Sequence, residues 1–272
     1  MPFYSPLRYP GGKTILAPYF EKIISKNKLE KCTYIEPYAG GAGAGLSLLL
    51  QNKVNKIIIN DLDSAIYSFW KSAVFDTNAF IDKISSTPVT LEEWKKQKNV
   101  YKIKRIGFEL GFATFFLNRT NMSGIIDGGP IGGMKQNSKW KLDARFNKKD
   151  LIGRIQNLAF FKDRIEVTNK DGIELLQEFK RFGKTFVYLD PPYYRKGDFL
   201  YLNSYGEKDH GNLAKFLNKK QNFNWILTYD NVGQIKELYK ERRIRKFPIR
   251  YSARIRRKDS ELMIFSDALR LN

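Results

Sequence analysis

The apolar positions of this chain fall into short compact runs separated by longer amphipathic stretches. Residues 33–36 and 56–60 are brief runs rich in β-branched and aromatic side chains, which predicts strands, whereas 45–51 and 64–73 carry helical spacing. The alternation resumes late in the chain. Residues 164–168, 184–189 and 225–229 predict strands, with helices at 173–182, 212–218 and 232–239 between and after them. Repeated strand–helix units predict an α/β protein built on a doubly wound, mostly parallel sheet. At the end, 244–251 and 261–266 read as strands with no helix between them, which predicts an antiparallel hairpin with a basic tip.

The middle of the chain breaks this rhythm. From about residue 78 to 147 the pattern predicts helices at 91–104 and 106–117, then a loop at 118–139 rich in Gly, Asn and Ser. Loops of that length in compact domains are usually functional or disordered. The expected organisation is one body made of 1–75 and 148–272, interrupted by a mainly helical insertion over 76–147.

Charge narrows the partner. The 272 residues hold 48 Lys+Arg against 28 Asp+Glu, a net charge of +20, which suits a polyanion because Lys and Arg displace counterions from phosphates. A generically Lys-rich chain would show much of the same excess, since Lys is spread along the sequence. Two concentrations stand out. Between 236 and 258 there are eleven Lys/Arg and two Glu, and Arg254-Ile-Arg-Arg-Lys258 falls at the expected hairpin tip, a shape that enters a DNA groove. Lys135, Lys139, Lys141, Arg145, Lys148 and Lys149 follow the long loop. One cysteine, Cys32, excludes an internal disulfide, and one histidine, His210, leaves no cluster of metal-ligand spacing. No apolar run reaches membrane-spanning length and no signal peptide is visible, so an intracellular, cytoplasmic protein without membrane or metal is expected.

Chemistry concentrates at strand ends. Asp190-Pro191-Pro192-Tyr193-Tyr194 directly follows the apolar run 185–189, so a buried strand should deliver a rigid, acceptor-rich, aromatic turn to the sheet edge where α/β folds bind ligands. Such a turn suits a planar substrate carrying an NH2 group, a nucleobase above all. Glu36-Pro37-Tyr38-Ala39-Gly40-Gly41 ends the first strand; its small residues permit close approach of a ligand, and a tight strand-to-helix turn explains them equally well. Asn60-Asp61-Leu62-Asp63 ends the second, with Asp61 read as a ligand acceptor and Asp63 as a helix N-cap. Arg8-Tyr9-Pro10-Gly11-Gly12-Lys13 reads, on its residues alone, as an N-terminal arm with an ordinary turn.

Taken in order, Tyr-Pro-Gly-Gly-Lys at 9–13, Glu-Pro-Tyr-Ala-Gly-Gly at 36–41, Asn-Asp-Leu-Asp at 60–63, Leu-Asn-Arg-Thr-Asn-Met-Ser-Gly at 117–124 and Asp-Pro-Pro-Tyr at 190–193 closely resemble the Dam-type DNA adenine N6-methyltransferases. The resemblance runs essentially end to end, through the Glu261-Leu-Met-Ile-Phe-Ser266 strand. It implies the seven-stranded methyltransferase sheet, S-adenosylmethionine as cofactor, double-stranded DNA as partner, and target recognition by the 76–147 insertion. A cognate restriction endonuclease is the further partner it allows. It implies that Tyr9, Lys13, Glu36, Gly40, Gly41, Asp61 and Asp190 hold the cofactor, and that Asp190, Pro191, Pro192 and Tyr193 form the catalytic turn. Tyr193 would stack on a flipped base, and Tyr194 would support it. Arg119, Asn121, Met122, Ser123, Lys139, Arg254, Arg256, Arg257 and Lys258 would face DNA, with Met122 as a wedge. Relatives that carry an aromatic residue and Asn before the loop glycine differ from the Met122-Ser123 found here, so no recognition sequence transfers.

Three rivals share part of this pattern. Cytosine N4-methyltransferases more often show Ser before Pro-Pro-Tyr, and RNA adenine methyltransferases more often show Asn-Pro-Pro. A catalytically dead DNA-binding module would have no need to keep Lys13, Asp61 and Asp190 together.

Overall fold

The computed structural model describes residues 4–8, 13–178, 184–194, 205–250 and 258–271. Its centre is a seven-stranded sheet: β1 (Thr33–Glu36), β2 (Lys56–Asn60), β3 (Ile165–Thr168), β4 (Thr185–Leu189), β5 (Asn224–Asp230), β6 (Arg243–Arg250) and β7 (Lys258–Phe265). They lie in the order β3-β2-β1-β4-β5-β7-β6. The first five are parallel, and β7 runs antiparallel between β5 and β6. The α/β class and the closing hairpin are therefore as the sequence pattern predicts. The hairpin tip, with Arg254, Arg256 and Arg257, lies outside the described residues, as do Tyr9, Gly11 and Gly12. Of Lys258 only the backbone, at the start of β7, is described.

Every residue of β4 is buried, because both faces of this central parallel strand are covered. Alternate side chains feed two cores. Tyr34, Phe186 and Tyr188 enter one, shared with α1 (Ala17–Lys26), α2 (Gly43–Leu50) and α3 (Ser64–Phe75). Ile35, Val187 and Leu189 enter the other, beneath α8 (Gly172–Glu178), α9 (Glu207–Leu217) and α10 (Gly233–Leu238). Pro248 falls in β6, an edge strand, where its missing N–H costs no ladder bond on the open side.

The middle of the chain folds as α4 (Thr77–Ser86), α5 (Leu91–Ile103) and α6 (Phe108–Thr120), followed after the long loop by α7 (Lys148–Phe160). The helix pattern at 91–104 and 106–117 matches α5 and α6. α1, α4 and α7 have no counterpart in the sequence reading. Each is amphipathic and buries only a few residues, such as Phe80 and Ile84 of α4, so its apolar spacing is sparse. α6 is buried throughout from Leu110 to Thr120, and Phe112, Phe115 and Phe116 join the same core as α1–α3. The inserted helices thus pack onto the sheet's own helical layer.

Candidate active site

The C-terminal ends of β1, β2, β4 and β5, with the middle of β7, gather the polar groups. A short 3-10 turn, Lys13–Leu16, brings the N-terminal arm to them. It is seated on α2 by a close approach at Gly43, where a Cβ would lie 2.3 Å from Thr14 Oγ1. Any side chain at Gly43 would push this turn, and Lys13 with it, away from the site.

Lys13 is buried, and its Nζ donates to both Asp190 oxygens at 3.2 and 3.0 Å and to Tyr193 OH at 2.7 Å. Tyr193 OH in turn donates to Glu261 Oε1, and Glu261 Oε2 lies 3.6 Å from Lys13 Nζ. Thr228 Oγ1 donates to Asp190 Oδ1 at 2.7 Å and is itself 2.8 Å from Tyr188 OH. The N-terminal turn and β5 thus meet on one carboxylate, and β7 joins the cluster through Lys13 and Tyr193. Asp190 remains partly open, its side chain 19% exposed against 4% for Lys13 and 1% for Glu261, so it is the member of the cluster that faces a ligand. The prolines that follow fix the turn, and the Tyr194 N–H donates to Asp230 Oδ1 at 2.9 Å.

Tyr193 is only 2% exposed, and its ring belongs to the second core. In this conformation it offers its hydroxyl to the charge cluster rather than a ring face to solvent. Tyr194 is half-buried; its OH donates to Glu207 Oε1 at 2.7 Å and its ring packs 5.0 Å from His210.

The second acidic group lies across β1 and β2. Glu36 Oε1 accepts from Tyr34 OH at 3.0 Å and from Gly45 N–H at 2.8 Å, at the opening of α2. Burial pushes its carboxyl up to about 7, the two donors oppose that rise, and the nearby Asp190 adds to it. Asp61 Oδ2 accepts from Gly40 N–H and Oδ1 from Asp63 N–H, both at 2.9 Å. Burial raises it to about 7 as well, against those two bonds. Among the described residues neither Glu36 nor Asp61 has a Lys or Arg at ion-pair distance. Asp63 accepts from Ala65 and Ile66 N–H at 2.7 and 3.1 Å and caps α3, as its position in the sequence predicts. Trp70 Nε1 donates to Gly40 O and fixes the Gly40-Gly41 turn from below.

The long loop is tightly tied. Asn118 binds Arg8 through both backbone groups and Gly124 O through its amide, which joins the N-terminal arm to the loop. Gly124 has φ 77°, and a Cβ there would lie 2.5 Å from Arg8 O. Asn121 is fully buried; its Nδ2 faces the carbonyls of Ile125, Ile126 and Gly128, and its Oδ1 accepts from Trp94. Arg119, 6% exposed, donates to Pro6 O, and burial with Arg154 and Arg8 nearby lowers its guanidinium to about 9. Both side chains expected to face DNA therefore turn inward and hold the loop, because the backbone carbonyls they satisfy are buried with them. What they hold outward is Met122, 47% exposed, and Ser123. Lys139 is exposed beside Trp140, itself 61% exposed.

Sequence reasoning missed Thr228, Glu261, Tyr34 and Asn118. An acid opening the apolar run at 261–265 was the available signal for Glu261; the others look like ordinary strand or helix residues until the fold joins them.

A carboxylate in a rigid turn is thus bonded to a buried ammonium at the strand ends, with Glu36 near it and Asp61 at the end of the next strand, both held by neutral donors. The sequence profile of the D12 class N6 adenine-specific DNA methyltransferases matches residues 9–253, and the chain belongs to that family. It is similar to the Type II methyltransferase M.CviBI of Paramecium bursaria Chlorella virus NC1A, 26% identical over 247 residues that cover 86% of this chain and 85% of that protein. The protein is an adenine-N6 DNA methyltransferase that uses a methyl donor and DNA. Among the described residues no group of acids, His or Cys is disposed to hold a metal, and no helix is long and apolar enough to cross a membrane.

Proposed function

We propose that the methyl donor is S-adenosylmethionine and that the substrate is an adenine flipped out of duplex DNA at a specific site, in a bacterium or a phage-infected host and paired there with a restriction endonuclease. The observation that carries this reading is the pair of acids, buried Glu36 and half-buried Asp61, held by neutral donors with no Lys or Arg at ion-pair distance among the described residues. A donor bearing an ammonium group and ribose hydroxyls would supply a cation to Glu36 and further hydrogen-bond donors to Asp61. Glu36 with the α2 N-terminus would hold the amino-acid end, Asp61 the ribose, and the exposed Leu62, which the sequence reading passed over, would lie against an adenine ring. Tyr9 would complete this pocket from the arm. When bound, S-adenosylmethionine supplies an electrophilic methyl group on a sulfonium.

The adenine amine is a weak nucleophile because its lone pair is delocalised into the ring. Asp190 and the Pro191 carbonyl would accept its two N–H bonds, which favours a pyramidal nitrogen with the lone pair directed at the methyl. These contacts strengthen as positive charge develops on nitrogen, and so lower the barrier instead of merely binding the base. The rigidity of Pro191 and Pro192 supplies positioning. With Tyr193 committed to Lys13 and Glu261, Tyr194 is the aromatic ring better disposed to meet the base. Flipping leaves a gap in the stack, which Met122 would fill as a wedge presented by the Asn121-tethered loop. The basic segments, including Lys139 and the hairpin with Arg254, Arg256, Arg257 and Lys258, would hold phosphates, and the 76–147 helices would carry target recognition.

Expression in a host free of DNA methylation, followed by sequencing for modified bases, tests this reading. N6-methyladenine at one short motif is expected. N4-methylcytosine, or modification scattered without a motif, would contradict it.

A further inference from the structure

The N-terminal arm is fastened to the inserted helices at one end and to the catalytic turn at the other. Arg154 Nη1 donates to Ser5 O at 2.8 Å, Arg119 Nε donates to Pro6 O at 2.6 Å, and Asn118 takes both backbone groups of Arg8. Five positions on from Arg8, Lys13 is bonded to Asp190. The arm is therefore a short covalent link between α6 and the site.

Arm and loop meet at Asn118, which lies near the C-terminal end of α6 and is 1% exposed. Its Oδ1 accepts the Arg8 N–H at 2.7 Å, and its Nδ2 donates to Arg8 O at 2.7 Å and to Gly124 O at 2.8 Å. One amide thus pairs with the arm as a neighbouring strand would, and directs its second N–H to the loop. Gly124 closes the joint from the other side: at φ 77°, an added Cβ would lie 2.5 Å from Arg8 O, so the loop backbone packs directly on the arm. Arg8 Nη1 in turn donates to Asn121 O at 3.1 Å. The exposed Met122 and Ser123 lie between these two loop residues. A contact that fixes Met122 and Ser123 also fixes the surface on which Arg8 rests.

We propose that Asn118 is a positioning residue that links DNA held by the loop at Met122 and Ser123 to the donor end of the site, so that DNA and donor each raise the other's affinity. The assignment rests on the reading of S-adenosylmethionine as donor, with Lys13 and Tyr9 of the arm beside it. Ordering a segment costs free energy, and segments joined through buried hydrogen bonds are ordered together. DNA that fixes the loop fixes Gly124, Asn118 and Arg8 with it, which leaves less of the arm to be ordered when the donor arrives. Both N–H groups of the Asn118 amide are engaged in a buried place, so the joint passes a displacement on instead of absorbing it. By linkage the factor is the same in both directions. Donor affinity is then highest on the duplex that is to be methylated.

The probe is S-adenosylhomocysteine, the demethylated product, which fills the donor pocket without reacting. Calorimetric titration of the full-length protein, alone and with saturating duplex carrying the motif found methylated in the host genome, gives a ratio of two dissociation constants. The wild type should bind the probe about tenfold more tightly with DNA present, and DNA about tenfold more tightly with the probe present. Asn118→Ala should bring both ratios to within about twofold of unity. Gly124→Ala, which pushes the loop off Arg8 O and leaves Asn118 in place, should lower them in the same way, and it carries the test should Asn118→Ala not fold. Arg154→Gln, which releases Ser5 O at the far end of the arm, should leave both ratios at the wild-type value. A merely structural role for Asn118 would weaken binding in each state and leave the ratios unchanged. Ratios kept in Asn118→Ala, a wild-type ratio near unity, or an equal loss in Arg154→Gln overturns the proposal. A wild-type protein that binds no S-adenosylhomocysteine, with or without DNA, overturns the donor reading beneath it as well.

Discussion

Two sets of carboxylates lie at the strand ends and on the adjoining β7, and they are held in opposite ways. Glu36 and Asp61 are fixed by neutral donors, a tyrosine hydroxyl and backbone N–H groups, and burial leaves both carboxyls at about 7. Asp190 and Glu261 share a buried ammonium instead. The difference teaches what each can do. An acid held only by neutral donors has acceptor capacity left for a ligand's ammonium or hydroxyl groups, which suits recognition of a donor. An acid hydrogen-bonded to an ammonium keeps other lone pairs as acceptors, which suits a reaction that develops positive charge on an amine.

The largest effect should come from Asp190. Asp190→Ala should lower methyl transfer by about three orders of magnitude or more while the circular dichroism spectrum stays that of the wild type. A folded variant with appreciable turnover would remove the distinction between the two sets. Lys13→Met strips the counter-ion from buried Glu261 and half-buried Asp190 and should cost about 3–5 kcal/mol in urea unfolding. Tyr34→Phe, which removes one neutral donor from Glu36, should cost about 1 kcal/mol in the same assay. Similar losses for the two would mean that the ammonium is not what holds the catalytic cluster.

Proton release tests the first set next. Glu36 and Asp61 both have raised pKa values, so in the unliganded protein their stabilising protonated forms are fully present below the ordinary carboxylate range and are lost as pH rises through about 7. A donor that binds the ionised forms should then bind more tightly as pH rises towards 7, by up to about tenfold per pH unit for each proton released, and level off above it. Calorimetry in two buffers of different ionisation enthalpy should detect that proton release near pH 6.5; its absence would show that these acids are already ionised. The smallest effect belongs to a carboxylate in neither set. Asp63 caps α3, and Asp63→Ala should cost about 1 kcal/mol of stability with turnover unchanged.

Much of this was legible in the sequence, and the reason is local. The strands β1, β2, β4 and β5 are compact apolar runs, and the acids that end them belong to motifs that reach no further than the next turn. What stayed hidden depends on residues far apart in the chain. Glu261 meets Lys13 only because β7 inserts antiparallel between β5 and β6. The family resemblance implies that Arg119 and Asn121 face DNA, yet they satisfy buried carbonyls of the arm and loop, a need that no periodicity announces. Gly43 is one small residue among several in a Gly/Ala-rich turn, and its partner, Thr14, comes from the N-terminal arm.

The central claim is that one acid set holds the donor and the other drives the chemistry, and a paired measurement tests it most directly. Donor dissociation constants by calorimetry and single-turnover rates at saturating donor and DNA should be measured for Asp61→Ala and Asp190→Ala. The account predicts opposite splits: Asp61→Ala binds the donor at least about tenfold more weakly yet transfers at near wild-type rate once saturated, and Asp190→Ala loses transfer while keeping most of its donor affinity. Parallel losses of binding and rate in both variants would contradict it.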